Sequence, residues 1–375
     1  MVGGGQGAFI GAVHRIAARL DDRYELVAGA LSSDLERARD SAAELHIAPD
    51  RAYAGYAEMA EREAVLPDGI DVVAVVTPNH LHHGPACAFA ERGIHVICDK
   101  PLTHRLEDAL DLEGVVRRSG IVFGLTHVYS GYPMVRQARA MVAAGELGTV
   151  RVVQVEYPQE WLTTRLEDTG QKQAAWRTNP ARSGAAGCTG DIGTHAFHLA
   201  EFVTGLRCES LAAELSTFVP GRALDDNAGM LLRFAGGTRG MLWASQVAPG
   251  NENALRLRVY GEKGGLEWAQ EQPNALHFTR FGELPWVIRR AGVGVLPVAV
   301  HASRIPSGHP EGYLEAFAQL YRDLAEQITA RLEGREPDVA SLLVPGIVDG
   351  VRGMRFIAAA VESSRNDAAW TEVAG

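Results

Sequence analysis

The chain has 375 residues, 46% hydrophobic and 22% charged, with a net charge of -10. That length accommodates two domains, and the acidic balance, without a basic run or aromatic-basic stripe, excludes nucleic acid and an anionic membrane surface as expected partners. The purely apolar runs are strand-sized, far short of the ~20 residues that cross a bilayer.

The chain opens on MVGGGQGAFIGAVHR, in which Gly3, Gly5 and Ala8 fit the pattern G-x-G-x-x-[GA]. Such a loop needs a tight turn, close backbone approach to a pyrophosphate, and a helix N-terminus that favours negative charge. Gln6, Phe9 and Ile10 stand in the same loop and helix start. A strand should precede the loop, yet only Met1 and Val2 are available. Two residues are expected to pair poorly with both neighbours, which points to a reading frame beginning further upstream or to a lost strand. Glycines also stand where a secretory leader needs charged and apolar stretches.

Alternation follows. Residues 24–31 (YELVAGAL) read as a strand and 34–45 as a helix. DVVAVVT (71–77) is a second strand and 84–93 a helix closed by glycine. IHVICD (94–99), a helix over 105–120 and IVFGLTH (121–127) complete the series. Continuous apolar strands separated by helices imply a parallel sheet covered on both faces, a doubly wound Rossmann arrangement. Strand two should end in an acidic residue if it holds a free ribose 2′-hydroxyl. Ser32 stands there, and Ser33 and Arg37 are suited to a 2′-phosphate, so the reading favours NADP over NAD.

The carboxyl ends of the next two strands carry TPNHLHH and DKP. Ligands bind at such ends, so Thr77, Pro78, Asn79, His82, Asp99 and Lys100 are expected to line the cofactor, with Lys100 in a cleft beside the nicotinamide.

After residue 127 the texture changes. A helix over 132–148 is followed by long alternating segments at 150–157, 229–234, 239–248 and 254–269, the last being two strands around a glycine-rich turn. Helices over 314–332 and 344–364 follow. The expectation is α/β overall: a Rossmann domain over 1–126 and, over 127–375, an α+β domain for substrate binding and oligomerisation with a large, mostly antiparallel sheet. GCTGDIGTHAFHLAEF (187–202) places Asp191 and His195 four residues apart, on one helical face. A carboxylate beside an imidazole orients it and supports a transient imidazolium. Tyr129, Trp176, Arg177 and His309 lie in polar-aromatic segments suited to a polyol. So do the segments QEWL (159–162) and LDDN (224–227). His309 lacks a second ligand at metal spacing on its own element, so no metal site is expected. Cys87, Cys98, Cys188 and Cys208 form no C-x-x-C pair and are read as reduced, buried cysteines of a cytoplasmic protein.

Together VGGG-x-GAFIG-x-VHR, TPNHLH, CDKPLT, WRTNP and GDIGTH resemble the Gfo/Idh/MocA oxidoreductases over nearly the whole chain. Asp99, for the commoner glutamate, and the short first strand depart from that pattern. The resemblance implies that Lys100 is the lysine of the family's K-P motif and that Asp191 and His195 are its aspartate and histidine. It implies hydride transfer between nicotinamide and a secondary alcohol or ketone of a sugar or cyclitol. His195 would serve as base, Lys100 would stabilise the alkoxide, and Asp191 would orient His195, bind a neighbouring hydroxyl, or share the proton relay with Lys100. Two alternatives stand beside it: an NAD-dependent glycosidase acting by transient oxidation, and a non-catalytic nucleotide-sensing regulator. A homodimer or homotetramer is expected, joined through a sheet face carrying Val153, Val155, Leu257 and Val259.

Overall fold

The valine-rich run Val72–Val76 forms an interior strand of the N-terminal region, as its lack of polar alternation predicts. The computed structural model describes residues 1–375. Two compact units are present, Met1–Val128 with Tyr313–Val351, and Tyr129–Gly312 with Arg352–Gly375.

In the first unit β1 (Val2–Gly3), β2 (Val72–Val76), β3 (His95–Cys98) and β4 (Phe123–Leu125) form a four-stranded parallel sheet in that order. Val73, Val75, Val96 and Ile97 are fully buried. Helices Phe9–Leu20, Leu35–Glu44, Tyr56–Glu63, His83–Ala90 and Leu106–Ser119 connect and cover the strands. The two-residue β1 pairs better than its length suggests. Val2 and Gly3 register with Val75 and Val76, and Val2 bridges Ala30 on the other side. The expected strand over 24–31 is reduced to bridges at Gly29 and Ala30. Its partner β1 offers only two residues, so no longer ladder can form there.

His14, on the first helix, is wholly buried, with Nδ1 2.8 Å from the Tyr321 hydroxyl of helix Tyr313–Glu333. Burial holds its imidazole down from the ordinary 6.5 to about 4. Below 6.5 the unfolded chain takes up a proton that the folded chain refuses. Stability is therefore full above that value and falls as pH drops toward 4, by roughly 3 kcal/mol for this group. Urea unfolding near pH 7 and about pH 4.5 should show this loss, and His14→Gln should remove most of it. Equal pH dependence in the two proteins would refute the assignment.

In the second unit nine strands form one sheet in the order β12-β11-β10-β9-β5-β8-β7-β6-β13. They are β5 (Val150–Pro158), β6 (Cys208–Ser216), β7 (Asn227–Phe234), β8 (Arg239–Ser245), β9 (Arg256–Gly261), β10 (Gly264–Ala269), β11 (Ala275–Arg280), β12 (Trp286–Arg289) and β13 (Thr371–Glu372). Only β5 and β8 run parallel; the other neighbours are antiparallel.

Helices Pro133–Ala143 and Thr194–Thr204 lie against this sheet. Val153, Val155, Leu257 and Val259 point to the helix side and are buried, which corrects the expectation that they form an open face. The alternation of β-strands puts their neighbours outside instead. There Leu231, Met241, Trp243 and Tyr260 are exposed, and Arg256 and Arg258 pair with Glu156 and Glu267. The four cysteines are free; Cys98, Cys188 and Cys208 are buried, whereas Cys87 is only half-buried. No helix is long and apolar enough to cross a membrane.

Candidate active site

In the first unit the glycine loop is built by backbone that side chains cannot follow. Gly3, Gly4 and Gly7 have φ of 76°, 75° and 73°, in the left-handed region. A Cβ on Gly5 would lie 2.8 Å from the Leu31 carbonyl oxygen and from Ser41 Oγ. A Cβ on Gly11 would lie 2.4 Å from the Gly4 Cα. Gly11 therefore provides the close helix–loop contact, a role the G-x-G-x-x-[GA] pattern put at Ala8. Ala8 instead starts helix Phe9–Leu20, whose first N–H groups have no side-chain cap. Gln6 is exposed and donates from Nε2 to Glu44 Oε1 at 2.6 Å. Phe9 is exposed and Ile10 half-buried. A pocket of about 530 Å³ opens here, lined by Gly5, Gln6, Gly7, Ala8, Arg15 and Glu44 among others. Close backbone with unused donors at a helix start fits a dinucleotide pyrophosphate.

Ser32 Oγ accepts from the Asp34 amide at 3.1 Å, and Asp34 caps the next helix by accepting from the Arg37 amide at 2.9 Å. Ser33 and the Arg37 side chain are exposed. This corner thus holds a carboxylate, Asp34, beside the serines.

The loops after β2 and β3 are tied together. His82, buried, lies 2.8 Å from the Thr77 carbonyl through Nε2 and 2.9 Å from the Pro101 carbonyl through Nδ1. Thr77 Oγ1 donates to the Leu81 carbonyl; Pro78 leads into the short helical turn at buried Asn79. Asp99 Oδ1 accepts from the Lys100 amide at 2.9 Å and from Thr126 Oγ1 at 2.7 Å. The carboxylate at the tip of this interior strand is thus a brace for the backbone that presents Lys100. The Lys100–Pro101 peptide is cis. Elsewhere in this unit His83 Nε2 pairs with Asp111 Oδ2 at 2.8 Å, and the Cys87 thiol lies near them, a three-donor group from two helices that spacing along the sequence did not disclose.

In the second unit Asp191 and His195 stand at a break in helix geometry. Residues Thr189–Gly193 form a π-turn, in which the Thr194 amide reaches back five residues to the Thr189 carbonyl, and Thr194–Thr204 continues as α-helix. A π-turn of this kind is a frequent mark of functional sites. Asp191 Oδ2 accepts from Arg177 Nε at 3.2 Å and from Gln246 Nε2 at 2.9 Å. Arg177 also bonds Gln173 and stacks on Trp176, 4.2 Å from its ring. His195 is buried, and the Tyr129 ring meets it edge-on at 4.8 Å. The Tyr129 and Tyr157 hydroxyls bond each other, Tyr157 donates to Asn253 Oδ1 at 2.7 Å, and Gln159 Nε2 donates to the same oxygen at 2.7 Å. Burial pushes the Tyr129 hydroxyl up to about 12, so it stays neutral near pH 7.

Asp191, Arg177, Trp176, Tyr129 and His195 therefore all lie in the second unit, linked by the Arg177–Asp191, Arg177–Trp176 and Tyr129–His195 contacts. His309 does not join them: its ring is exposed and its carbonyl accepts from Arg290. The LDDN segment also turns inward, with Asp225 and Asp226 buried. Tyr157, Asn253 and Gln246 escaped sequence reading because each is one polar residue at a strand end or loop; Gln159 lay in a segment already singled out. Chemically, the cluster offers an imidazole, a carboxylate, a guanidinium and several neutral donors, a set suited to holding a polyhydroxy compound and moving one proton.

Residues 1–127 match the model of an oxidoreductase family with an NAD-binding Rossmann fold, and residues 135–267 match the GFO/IDH/MocA C-terminal domain. The chain is 33% identical to the uncharacterized oxidoreductase YfiI of Bacillus subtilis, covering 99% of this chain and 95% of that one. Among solved structures, an oxidoreductase from Sinorhizobium meliloti superposes with a TM-score of 0.89 at 54% identity, covering 99% of this chain and 97% of that one. An inositol dehydrogenase homolog from Azotobacter vinelandii, complexed with NAD+, superposes with a TM-score of 0.94 at 37% identity over 99% of this chain and 96% of that one. The same homolog was also solved complexed with NADH and myo-inositol, with a TM-score of 0.92 at 37% identity over 99% of this chain and 96% of that one.

Proposed function

The chain belongs to the Gfo/Idh/MocA family of NAD-binding oxidoreductases, and from that premise we propose that it transfers a hydride between nicotinamide and a secondary alcohol of a cyclitol or sugar. The observation that carries this reading is the π-turn bearing Asp191 and the helix start bearing His195, with their guanidinium, amide and tyrosine neighbours, a polar cluster dense in hydrogen-bonding groups. The myo-inositol complex of the Azotobacter homolog supports a cyclitol as the first substrate to try. When bound, the nicotinamide accepts the hydride in oxidation and returns it in reduction. The residues do the rest. His195 takes the hydroxyl proton, Lys100 donates to the oxygen as alkoxide charge develops, and Asp191 holds a neighbouring hydroxyl or the imidazole. Arg177 and Gln246 keep the Asp191 carboxylate turned one way, the buried Tyr129 packs edge-on against His195, and Trp176 offers ring surface to C–H faces.

We take NAD as the cofactor, in place of the NADP favoured by Ser32, Ser33 and Arg37. Asp34, which caps the next helix two residues after Ser32, adds a negative charge to this corner that disfavours a 2′-phosphate, and the Azotobacter homolog was solved with NAD+ and with NADH. The test is absorbance of NADH formed from NAD or NADP with a panel of cyclitols and sugars. Net NADH accumulation supports the reading. Substrate cleavage without net NADH favours transient oxidation by a glycosidase, and tight NADH binding without turnover favours a sensor.

We further propose a homodimer or homotetramer joined through the outer sheet face. Leu231, Met241, Trp243 and Tyr260 are exposed there, beside a concavity of about 650 Å³ lined in part by His277 and Arg280. Light scattering at micromolar concentration should give at least twice the chain mass, and Trp243→Glu should shift it toward monomer. A wild-type monomer would rule this interface out.

A further inference from the structure

The π-turn that carries Asp191 departs from α geometry, and its leading end is gathered onto one buried carboxylate. Asp225 Oδ1 accepts from the Gly187 amide at 2.5 Å. Asp225 Oδ2 accepts from the Thr189 amide at 2.9 Å, the Thr189 hydroxyl at 2.8 Å and the Cys188 thiol at 3.1 Å. The Cys188 amide donates to the Asp225 carbonyl at 2.9 Å, and the Asp191 amide donates back to the Gly187 carbonyl at 2.9 Å. Burial first, and Asp225 next, raise the Cys188 thiol well above its ordinary value, which keeps it a donor. A Cβ on Gly187 would stand 2.2 Å from the Asp225 carbonyl oxygen, so the two segments touch backbone to backbone.

The next residue holds the other side. The Asp226 carbonyl accepts from the Gln246 amide at 2.8 Å, and the Gln246 side chain donates to Asp191 Oδ2. Asp226 is itself fixed by the Phe218 and Val219 amides and by Arg222. The Asp225–Asp226 pair therefore grips both the backbone before Asp191 and Gln246, a donor to its carboxylate.

We propose that Asp225 is a positioning residue: from a separate segment its carboxylate caps the start of the helix that bears Asp191 and His195, and so fixes the π-turn and the direction of the Asp191 carboxylate. The inference rests on the hydride-transfer reading above. An anionic acceptor at a helix N-terminus is favoured by the unsatisfied amides and the helix dipole, and its charge strengthens each of the four bonds. An amide cannot replace it. Asparagine carries one acceptor oxygen and an NH2 that would face the Gly187 or Thr189 amide donor to donor.

Asp225→Asn should lower kcat for polyol oxidation by about a hundredfold, the size expected when reacting groups shift by about 1 Å. NADH affinity, read by fluorescence titration, should stay within about twofold, because the glycine loop is untouched. A folded Asp225→Asn protein that keeps kcat within about threefold, or loses kcat and NADH binding together, overturns the proposal. Thr189→Val removes one donor with little change of shape. It should lower kcat by about three- to tenfold and displace the pH profile of kcat/KM. It should also raise amide hydrogen exchange within residues 187–195, read by mass spectrometry. That exchange needs no turnover: wild-type protein inactive on every polyol sinks the hydride-transfer reading, whereas exchange unchanged by Thr189→Val sinks the positioning role.

Discussion

Lys100→Met should lower kcat/KM for polyol oxidation by about 10²–10³ while leaving NADH binding near its wild-type value. The ammonium is expected to act where charge develops, as alkoxide forms, and a donor used only then contributes to turnover more than to binding. The substitution keeps the stem and removes the charge. The turn that presents it is held by other groups: Asp99 accepts from the Lys100 backbone amide, and His82 contacts the Pro101 carbonyl. Loss of activity with an unchanged thermal midpoint would therefore report chemistry rather than folding. A variant within about fivefold of wild type in kcat/KM would remove Lys100 from the reacting centre.

His195→Asn should have an effect of comparable or greater size, about 10²–10⁴ in kcat/KM near pH 7, since it removes the proton acceptor. The sign of the pH dependence follows from the role. As a base in alcohol oxidation His195 works only when neutral, so wild-type kcat/KM should fall as pH drops and the ring takes up a proton. The variant should lose that acid limb and rise with pH as hydroxide substitutes for the missing base. Steady-state rates across the pH range measure both. An acid limb that survives in the variant would place the titrating base elsewhere. Because the Tyr129 ring packs edge-on against His195, a modest loss of stability is expected as well, and circular dichroism separates it from the kinetic effect.

What could be read without coordinates was local. Glycine at positions of positive φ, unbroken apolar runs such as Val72–Val76, and a four-residue spacing between Asp191 and His195 are decided within a few residues. Together they disclose a parallel sheet, a glycine-rich loop ahead of the first helix, and a carboxylate and an imidazole four residues apart. The sheet of the second unit was legible in kind from its alternating strands. Which side faced the helices was not: Val153 and Leu257 alternate with Gln154 and Arg256, and alternation says only that two faces differ.

The tertiary structure decided everything that depends on distant segments returning. Tyr157 and Asn253 meet Tyr129 across strand ends, Gln246 reaches Asp191, and Gly11 rather than Ala8 closes against the glycine loop. The LDDN segment shows the reason most plainly. As sequence it reads as a polar loop segment suited to a polyol, yet Asp225 is buried, with four donors from residues 187–189 converging on it. A carboxylate goes wherever its hydrogen bonds are best satisfied. Sequence alone determined that this chain has the residues for a dinucleotide fold and sets Asp191 and His195 four residues apart; only the folded chain decided which partners hold them, because those partners lie tens of residues away and no local pattern encodes their approach.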